Sequence, residues 1–148
     1  MKAVLVYDSV FGNTRKIAEA IYSSLGRDAV MVKAWEFHPD VLERADLVVM
    51  GSPIQAWRPS KNMLEALKRL RPGDLTGKKV AAFDSRYDRR FAGTACFKIA
   101  RRLTRYGGTL IAKPEHFIVL GHEGPLRQGE VERAASWGRM LIEATGKS

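Results

Sequence analysis

Five short apolar runs, most of them continuous rather than alternating, are separated by stretches in which apolar residues recur with helical spacing. Continuous apolar strands are typical of a parallel sheet that is buried on both faces. Parallel neighbours need crossover connections, which are nearly always right-handed and usually helical. The pattern therefore predicts an α/β fold, a three-layer doubly wound parallel sheet of five strands. The runs are residues 3–7, 29–33, 47–50, 80–83 and 117–120.

Helical spacing predicts the elements that lie between and after these runs. The predicted helices are residues 14–25, 41–45, 63–70, 96–103 and 130–144. Gly26, Pro72 and Gly107 each follow a periodic stretch and are typical of helix ends. The prolines and glycines of residues 112–129 indicate a fifth strand that is interrupted or followed by a loop. A chain of 148 residues is close to the commonest domain size, so one domain over residues 1–148 is expected.

Composition narrows the class of protein. Cys96 is the single cysteine, which excludes an internal disulfide and any multi-cysteine metal or iron–sulfur site. Cysteine usage of this kind favours a reducing compartment, and we expect the cytoplasm. No apolar stretch approaches the length of a bilayer span, so no membrane span is expected. The net charge is +9 and is concentrated in the second half of the chain, which favours association with nucleic acid, an anionic membrane or an acidic protein.

The turn between the first strand and the first helix, residues 8–14, reads D-S-V-F-G-N-T. The first amides of a helix have no internal partner and lie at the positive end of its dipole, so this turn favours a phosphate. Gly12 allows close approach of the main chain, and Ser9, Asn13 and Thr14 offer side-chain donors. The spacing is neither the P-loop pattern nor the dinucleotide pattern G-x-G-x-x-G. The alternative is an ordinary helix cap by Ser9 or Asn13.

Two further loops, residues 51–60 and 84–94, follow the third and fourth predicted strands. Ligands of open parallel sheets bind beyond the carboxyl ends of the strands, and a strand order of 2-1-3-4-5 would bring all three loops to one crevice. Trp57 lies in the second loop and Tyr87 in the third. An indole on a loop favours a flat partner, so the three loops together indicate a site for a planar ring with a phosphorylated tail. Alternatively, Trp57 folds back on the domain or contacts another subunit, and Tyr87 packs on the surface.

These loops resemble those of the short-chain flavodoxins, a family that binds FMN on a five-stranded parallel sheet. The resemblance covers essentially the whole chain, and it rests on S-V-F-G-N-T in the first loop and G-S-P after the third strand. It implies that the first loop holds the phosphate through its side chains and amides, while Trp57 and Tyr87 cover the two faces of the isoalloxazine. The implied cofactor-binding residues are Ser9, Val10, Phe11, Gly12, Asn13, Thr14, Pro53, Trp57, Asp84, Arg86 and Tyr87.

The resemblance implies an FMN-binding electron-transfer protein that passes electrons between redox partners. The third loop begins D-S-R where family members are often glycine-rich, and the chain is basic where electron-carrying flavodoxins are usually acidic. The basic charge favours acidic redox partner proteins. Two alternatives remain open, namely an FMN-dependent NAD(P)H:quinone-type oxidoreductase and a binding module of the same fold that has lost FMN. An electron carrier is favoured over a stand-alone enzyme, and no catalytic acid or base is predicted.

One basic stripe is predicted along the fourth helix. Lys98, Arg101, Arg102 and Arg105 recur there with helical spacing. A solvated polar face is the commonest explanation. If the stripe binds a macromolecule, an acidic protein is favoured over nucleic acid because the stripe has no aromatic platforms for bases. The three histidines show no ligand spacing, so no metal site is predicted, and Cys96 is expected to be a small buried side chain.

Overall fold

A computed structural model describes residues 1–55, 57–87, 95–121 and 123–146. Strands and helices alternate along most of the chain, and two 3-10 turns, Ala34–Glu36 and Pro39–Leu42, lie between the second and third strands. The elements are β1 (Ala3–Tyr7), α1 (Asn13–Tyr22), β2 (Val30–Lys33), β3 (Leu47–Gln55), β4 (Arg58–Pro59), α2 (Lys61–Arg69), β5 (Lys79–Tyr87), α3 (Ala95–Arg105), β6 (Thr109–Leu110), β7 (Glu115–Val119) and α4 (Glu130–Gly146).

The sheet has the strand order β2-β1-β3-β5, and β6 and β7 both lie beside β5 at the far edge. All of these neighbours are parallel, whereas β4 forms a short antiparallel hairpin with the end of β3. If β4 is set aside and β6 and β7 are counted as two pieces of one strand, the order is 2-1-3-4-5. The predicted doubly wound fold is therefore confirmed.

Two apolar layers hold the helices against the sheet. Successive side chains of a strand point to opposite faces, so the continuous apolar runs supply both layers. One layer includes Met63 and Leu67 of α2 and Ile99 of α3. The other includes Ile17 of α1 and Trp137 of α4. The sheet consequently lies between two pairs of helices, and its strand ends are left to form the loops.

Two strands extend beyond the carboxyl ends of their predicted apolar runs. β3 continues past Met50 to Gln55, and β5 continues past Phe83 to Tyr87. The second and third loops therefore begin later than predicted. The helix predicted for residues 41–45 is wrong, because this segment ends the 3-10 turn Pro39–Leu42 and β3 begins too soon afterwards for a second helical turn.

The last strand is interrupted, as the sequence predicts. β6 pairs with the amino end of β5 and β7 with its carboxyl end, and residues 111–114 lie between them. Pro114 has no N–H to donate to a neighbouring strand, which favours a break at this position. Among the helices that the structure describes, none is long and apolar enough to cross a membrane.

A buried carboxylate ties β7 to α4. Glu130 is the first residue of α4, and its Oε2 accepts hydrogen bonds from the Ile118 N–H at 2.7 Å and from Arg133 at 2.8 Å. Burial opposes ionisation of Glu130, but these two hydrogen bonds and the charges of Arg133 and Arg127 outweigh it and lower the pKa of the carboxyl. Glu130 and Arg133 therefore form an ion pair at neutral pH, and this pair fixes the start of the last helix.

Candidate functional site

The carboxyl ends of β1, β3 and β5 meet at one edge of the sheet. Tyr7 lies opposite Gly51, and Gly51 lies opposite Phe83 in the parallel register. The Asp8 N–H continues this contact by donating to the Gly51 carbonyl at 3.1 Å. The three predicted loops therefore follow neighbouring strands at the same edge of the sheet, which is what a shared crevice requires.

The first loop enters α1 through Gly12, whose φ of 91° lies in the left-handed region. A Cβ at this position would meet no other atom within 4 Å, so the space beside the turn is open. The first turn of α1 carries no acidic side chain, and the positive end of its dipole is not neutralised there. Between described residues, the amides of Asn13 and Thr14 donate to no acceptor. These features fit a bound phosphate.

Ser9 caps the helix in the way that the alternative interpretation predicts. Its Oγ accepts hydrogen bonds from the Gly12 N–H at 3.1 Å and from the Arg15 N–H at 3.2 Å. A hydroxyl that accepts two hydrogen bonds still has its own hydrogen to donate. The cap and the implied contact with a phosphate are therefore compatible at Ser9.

The side chains of Asn13 and Thr14 are buried and bonded to distant parts of the chain. Asn13 donates through Nδ2 to the carbonyl of Glu123 at 2.9 Å, and Thr14 shares a 2.6 Å hydrogen bond with the hydroxyl of Ser85. When Ser85 is the donor of that bond, the Thr14 hydrogen remains available to a ligand. The implied side-chain contacts of Asn13 and Thr14 with phosphate stay predictions.

A cavity of about 270 Å³ opens on the β2 side of the first loop. Ser9, Val10 and Gly12 form one wall, and Lys33 and Trp35 form part of the other. The aromatic residues that were predicted to flank a ring do not line this cavity. It therefore adjoins the phosphate turn on the side away from β3 and β5.

Trp57 lies between the two strands of the β3–β4 hairpin. Gln55 pairs with Arg58 there, and the Trp57 side chain is 64% exposed. Its φ of 64° is uncommon for a bulky residue, because the left-handed region brings Cβ close to the following carbonyl. The hairpin thus presents an exposed indole, while Pro53, earlier in β3, is half-buried.

Tyr87 and Arg86 are half-buried strand residues at the end of β5, not loop residues. The Arg86 Nε donates to the Tyr87 carbonyl at 3.3 Å. Residues 88–94, the remainder of the predicted third loop, lie outside the described residues. The β5 end and the β3–β4 hairpin extend from neighbouring strands, so Tyr87 and Trp57 share one edge of the sheet. Their role as covers of a ring stays a prediction.

Asp84 is fully buried, and its carboxylate is engaged by protein groups. Oδ2 accepts from the Cys96 N–H at 2.9 Å, and Oδ1 lies 2.8 Å from Nδ1 of His116. Burial, followed by the charge and hydrogen bond of Asp84, raises the pKa of the Cys96 thiol, which is protonated at neutral pH. Sequence analysis missed His116, because its position opposite Asp84 depends on the strand register, and Cys96 joins the two from α3.

The predicted basic stripe lies along the outside of α3. Lys98, Arg101 and Arg105 are exposed, and Arg102 is half-buried and donates to the Tyr106 hydroxyl at 3.5 Å. No acidic side chain pairs with these four within the described part of the chain. The stripe is therefore an uncompensated positive surface.

Comparisons with known proteins give a consistent family assignment. The profile of the family described as Flavodoxin domain matches residues 4–104. The oxidised flavodoxin 1 of Bacillus cereus has a TM-score of 0.82 and 18% identity over 97% of this chain and 98% of its own. Flavodoxin 2 of Bacillus cereus has a TM-score of 0.82 and 24% identity over 99% of both chains. A flavodoxin from the domain Archaea has a TM-score of 0.79 and 22% identity, again over 99% of both chains. None of the curated proteins matches the sequence.

Proposed function

Because this chain belongs to the flavodoxin domain family, we propose that it binds FMN at the carboxyl edge of its sheet and transfers electrons between redox partner proteins. The observation that carries the proposal is the turn at Gly12. It leaves open space for an anion at the amino end of α1, where no acidic side chain of the first turn neutralises the helix dipole. When bound, FMN supplies the redox chemistry, and the protein supplies binding, orientation and electrostatics. No side chain of the crevice needs to act as an acid or a base.

The first loop would hold the phosphate mainly through main-chain groups. The amides of Asn13 and Thr14 have no competing acceptor among described residues, and the Ser9 hydroxyl can donate while it caps the helix. Trp57 and Tyr87 would cover the ring from the ends of neighbouring strands. Burial of an indole that is 64% exposed would add an apolar contribution to the affinity.

The charges near these aromatic residues favour reduction of the bound cofactor. Arg58 is exposed in the β3–β4 hairpin next to Trp57, and Arg86 precedes Tyr87 in β5. Reduced flavin is anionic near N1, so a nearby guanidinium stabilises the reduced form relative to the oxidised form. We expect a less negative midpoint potential than that of an acidic flavodoxin.

FMN binding is tested by comparing FMN with riboflavin, which lacks the phosphate. Purified protein is expected to be yellow, or to quench the fluorescence of added FMN with one FMN per chain. Riboflavin is expected to bind much more weakly, because it makes no contact with the amino end of α1. Equal affinities for the two ligands would contradict the assigned phosphate turn. A protein that stays colourless and does not quench FMN would support the binding-module alternative.

The oxidoreductase alternative has a separate test. The holoprotein is mixed with NAD(P)H and a quinone, and absorbance follows the oxidation of the nicotinamide. Electron transfer that requires a protein partner supports the carrier function. Rapid turnover without any other protein would support the NAD(P)H:quinone-type alternative instead.

The basic stripe of α3 would dock acidic redox partners. Attraction between opposite charges raises association rates and is weakened by salt. Arg101→Glu is therefore expected to slow electron transfer from an acidic ferredoxin and to flatten its salt dependence in stopped-flow measurements. Arg44→Glu is a matched control, because Arg44 is also exposed but precedes β3 at the opposite edge of the sheet from the proposed crevice. Salt-independent rates, or equal effects of the two variants, would contradict docking at the stripe.

A further inference from the structure

Three different metal-ligating side chains meet on the α3 face of the sheet. Asp84 of β5 lies opposite His116 of β7 in the parallel register, and Cys96 is the second residue of α3. Their potential ligand atoms all lie within 4.8 Å of one another. The Cys96 Sγ is 3.5 Å from the His116 Nδ1, and the Asp84 Oδ1 is 2.8 Å from the same nitrogen.

The two separations from the His116 Nδ1 approach the edges of a tetrahedral coordination sphere. Zinc–sulfur and zinc–nitrogen bonds of about 2.3 and 2.0 Å at a tetrahedral angle place sulfur and nitrogen about 3.5 Å apart. That is the separation between the Cys96 thiol and the His116 nitrogen. The same calculation gives about 3.3 Å between nitrogen and a carboxylate oxygen, so the Asp84 oxygen would move outward by about 0.5 Å.

We propose that Asp84, Cys96 and His116 form a three-ligand site for Zn²⁺ or a similar thiophilic divalent cation, with water as the fourth ligand. A thiolate and a carboxylate together neutralise a divalent ion. Neither Asp84 nor Cys96 pairs with a lysine or arginine within the described residues, so the buried carboxylate has no other fixed cation. When the ion binds, the Cys96 thiol proton is released to solvent, and the imidazole binds as the neutral base.

The surrounding structure holds these side chains in place. The main chain of His116 is fixed at both ends, because its N–H donates to the Glu115 carboxylate at 3.1 Å and its carbonyl accepts from Arg133. The Phe97 ring packs against the imidazole with the ring centroids 5.9 Å apart. Positioned ligands bind metals more tightly because less order must be imposed on binding.

Of the three side chains, His116 is the one that reaches the surface. The His116 side chain is 27% exposed, whereas Asp84 and Cys96 are fully buried. The imidazole is therefore the member of the cluster that solvent contacts, and an ion that binds there would displace the thiol proton. The competing explanation is a buried hydrogen-bond network that holds no metal, and it predicts that added Zn²⁺ does not bind at these residues.

The experiment titrates the 148-residue chain with Zn²⁺ by calorimetry and with Co²⁺ by absorption, after the protein has been stripped by a chelator and dialysed. Difference spectra cancel the contribution of any bound flavin. We expect one Zn²⁺ per chain and a thiolate-to-Co²⁺ charge-transfer band. Cys96→Ser is expected to remove that band, and Cys96→Ser and His116→Gln are each expected to weaken Zn²⁺ binding at least about tenfold. His38→Gln is the control, because His38 is exposed and lies outside the cluster.

Two results would overturn the proposal. One is the absence of Zn²⁺ binding to the wild-type chain. The other is binding that persists unchanged in Cys96→Ser and His116→Gln, which would show that the ion binds elsewhere on the surface. Circular dichroism verifies that the variants are folded. If the variant at the buried Cys96 does not fold, His116→Gln still tests the site, because the His116 side chain reaches the surface and its replacement disturbs the core less.

Discussion

Replacing Gly12 by alanine separates backbone strain from phosphate binding, because the chain contains a closely matched second glycine. Gly12 and Gly26 have φ values of 91° and 98°, and a Cβ at either position would meet no atom within 4 Å. A left-handed conformation costs a residue with a Cβ about 1–2 kcal/mol. Gly12→Ala and Gly26→Ala should therefore lower the free energy of unfolding by similar amounts.

Only one of these glycines lies in the proposed phosphate turn. A methyl group at Gly12 would occupy the open space beside the first amides of α1, whereas Gly26 lies beyond the other end of that helix. Loss of one hydrogen bond to a charged group costs about 1.5–3 kcal/mol. The dissociation constant of FMN should then rise roughly tenfold to a hundredfold in Gly12→Ala.

The assay combines urea unfolding of the FMN-free variants with fluorescence titrations of FMN and riboflavin. Gly12→Ala should lose affinity for FMN while its affinity for riboflavin stays close to that of the wild type. Gly26→Ala should bind both ligands normally. If the two variants bind FMN equally well, the phosphate does not lie at Gly12 and the proposed orientation of the cofactor is refuted.

Three further predictions concern stability and redox potential. Because the folded-state pKa of Glu130 is lowered, its stabilisation is present above the ordinary glutamate pKa and is lost as the pH falls through the folded value. In urea unfolding, Glu130→Gln should therefore cost about 2 kcal/mol at about pH 7 and progressively less as the pH falls below the ordinary glutamate pKa of about 4.3. The exposed Glu132→Gln should cost little at any pH, and a cost of Glu130→Gln that does not change with pH would contradict the assignment. Gly51→Ala should lower the free energy of unfolding by about 1–3 kcal/mol, because its methyl group would overlap the Phe83 ring. The same substitution should cost less in a Phe83→Leu background, and an equal cost in thermal unfolding would exclude the clash as the cause. Arg58→Gln should make the midpoint potential of bound FMN more negative by a few tens of millivolts, since about 59 mV corresponds to a tenfold change in the equilibrium constant of a one-electron reduction. An unchanged midpoint potential in a redox titration would show that the charge of Arg58 does not act on the flavin.

The sequence predicted the order of the strands better than their lengths. Apolar runs locate the buried middle of each strand, but β5 continues through Asp84 and Arg86, which have the composition of a loop. Asp84 can remain in the buried strand because the Cys96 N–H and His116 satisfy its carboxylate. Hydropathy and periodicity contain no information about such distant partners.

The candidate site was predictable where its chemistry is local. Gly12 and the polar residues around it form a continuous motif, so the turn and its open helix end could be expected from residues 8–14 alone. The destination of the Asn13 side chain could not, because it bonds to a carbonyl 110 residues later in the chain. The same holds for His116, whose position opposite Asp84 depends on a strand register that no local pattern specifies.

The interruption between β6 and β7 has a consequence for colloidal behaviour. An uninterrupted outer strand exposes a row of amides and carbonyls onto which another chain can add a strand, and this is a common route to fibrils. Here the outer row is broken into pieces of two and five residues, and the opposite border is the four-residue β2. Neither border offers a long template, so concentrated solutions of the folded protein should resist strand-mediated association.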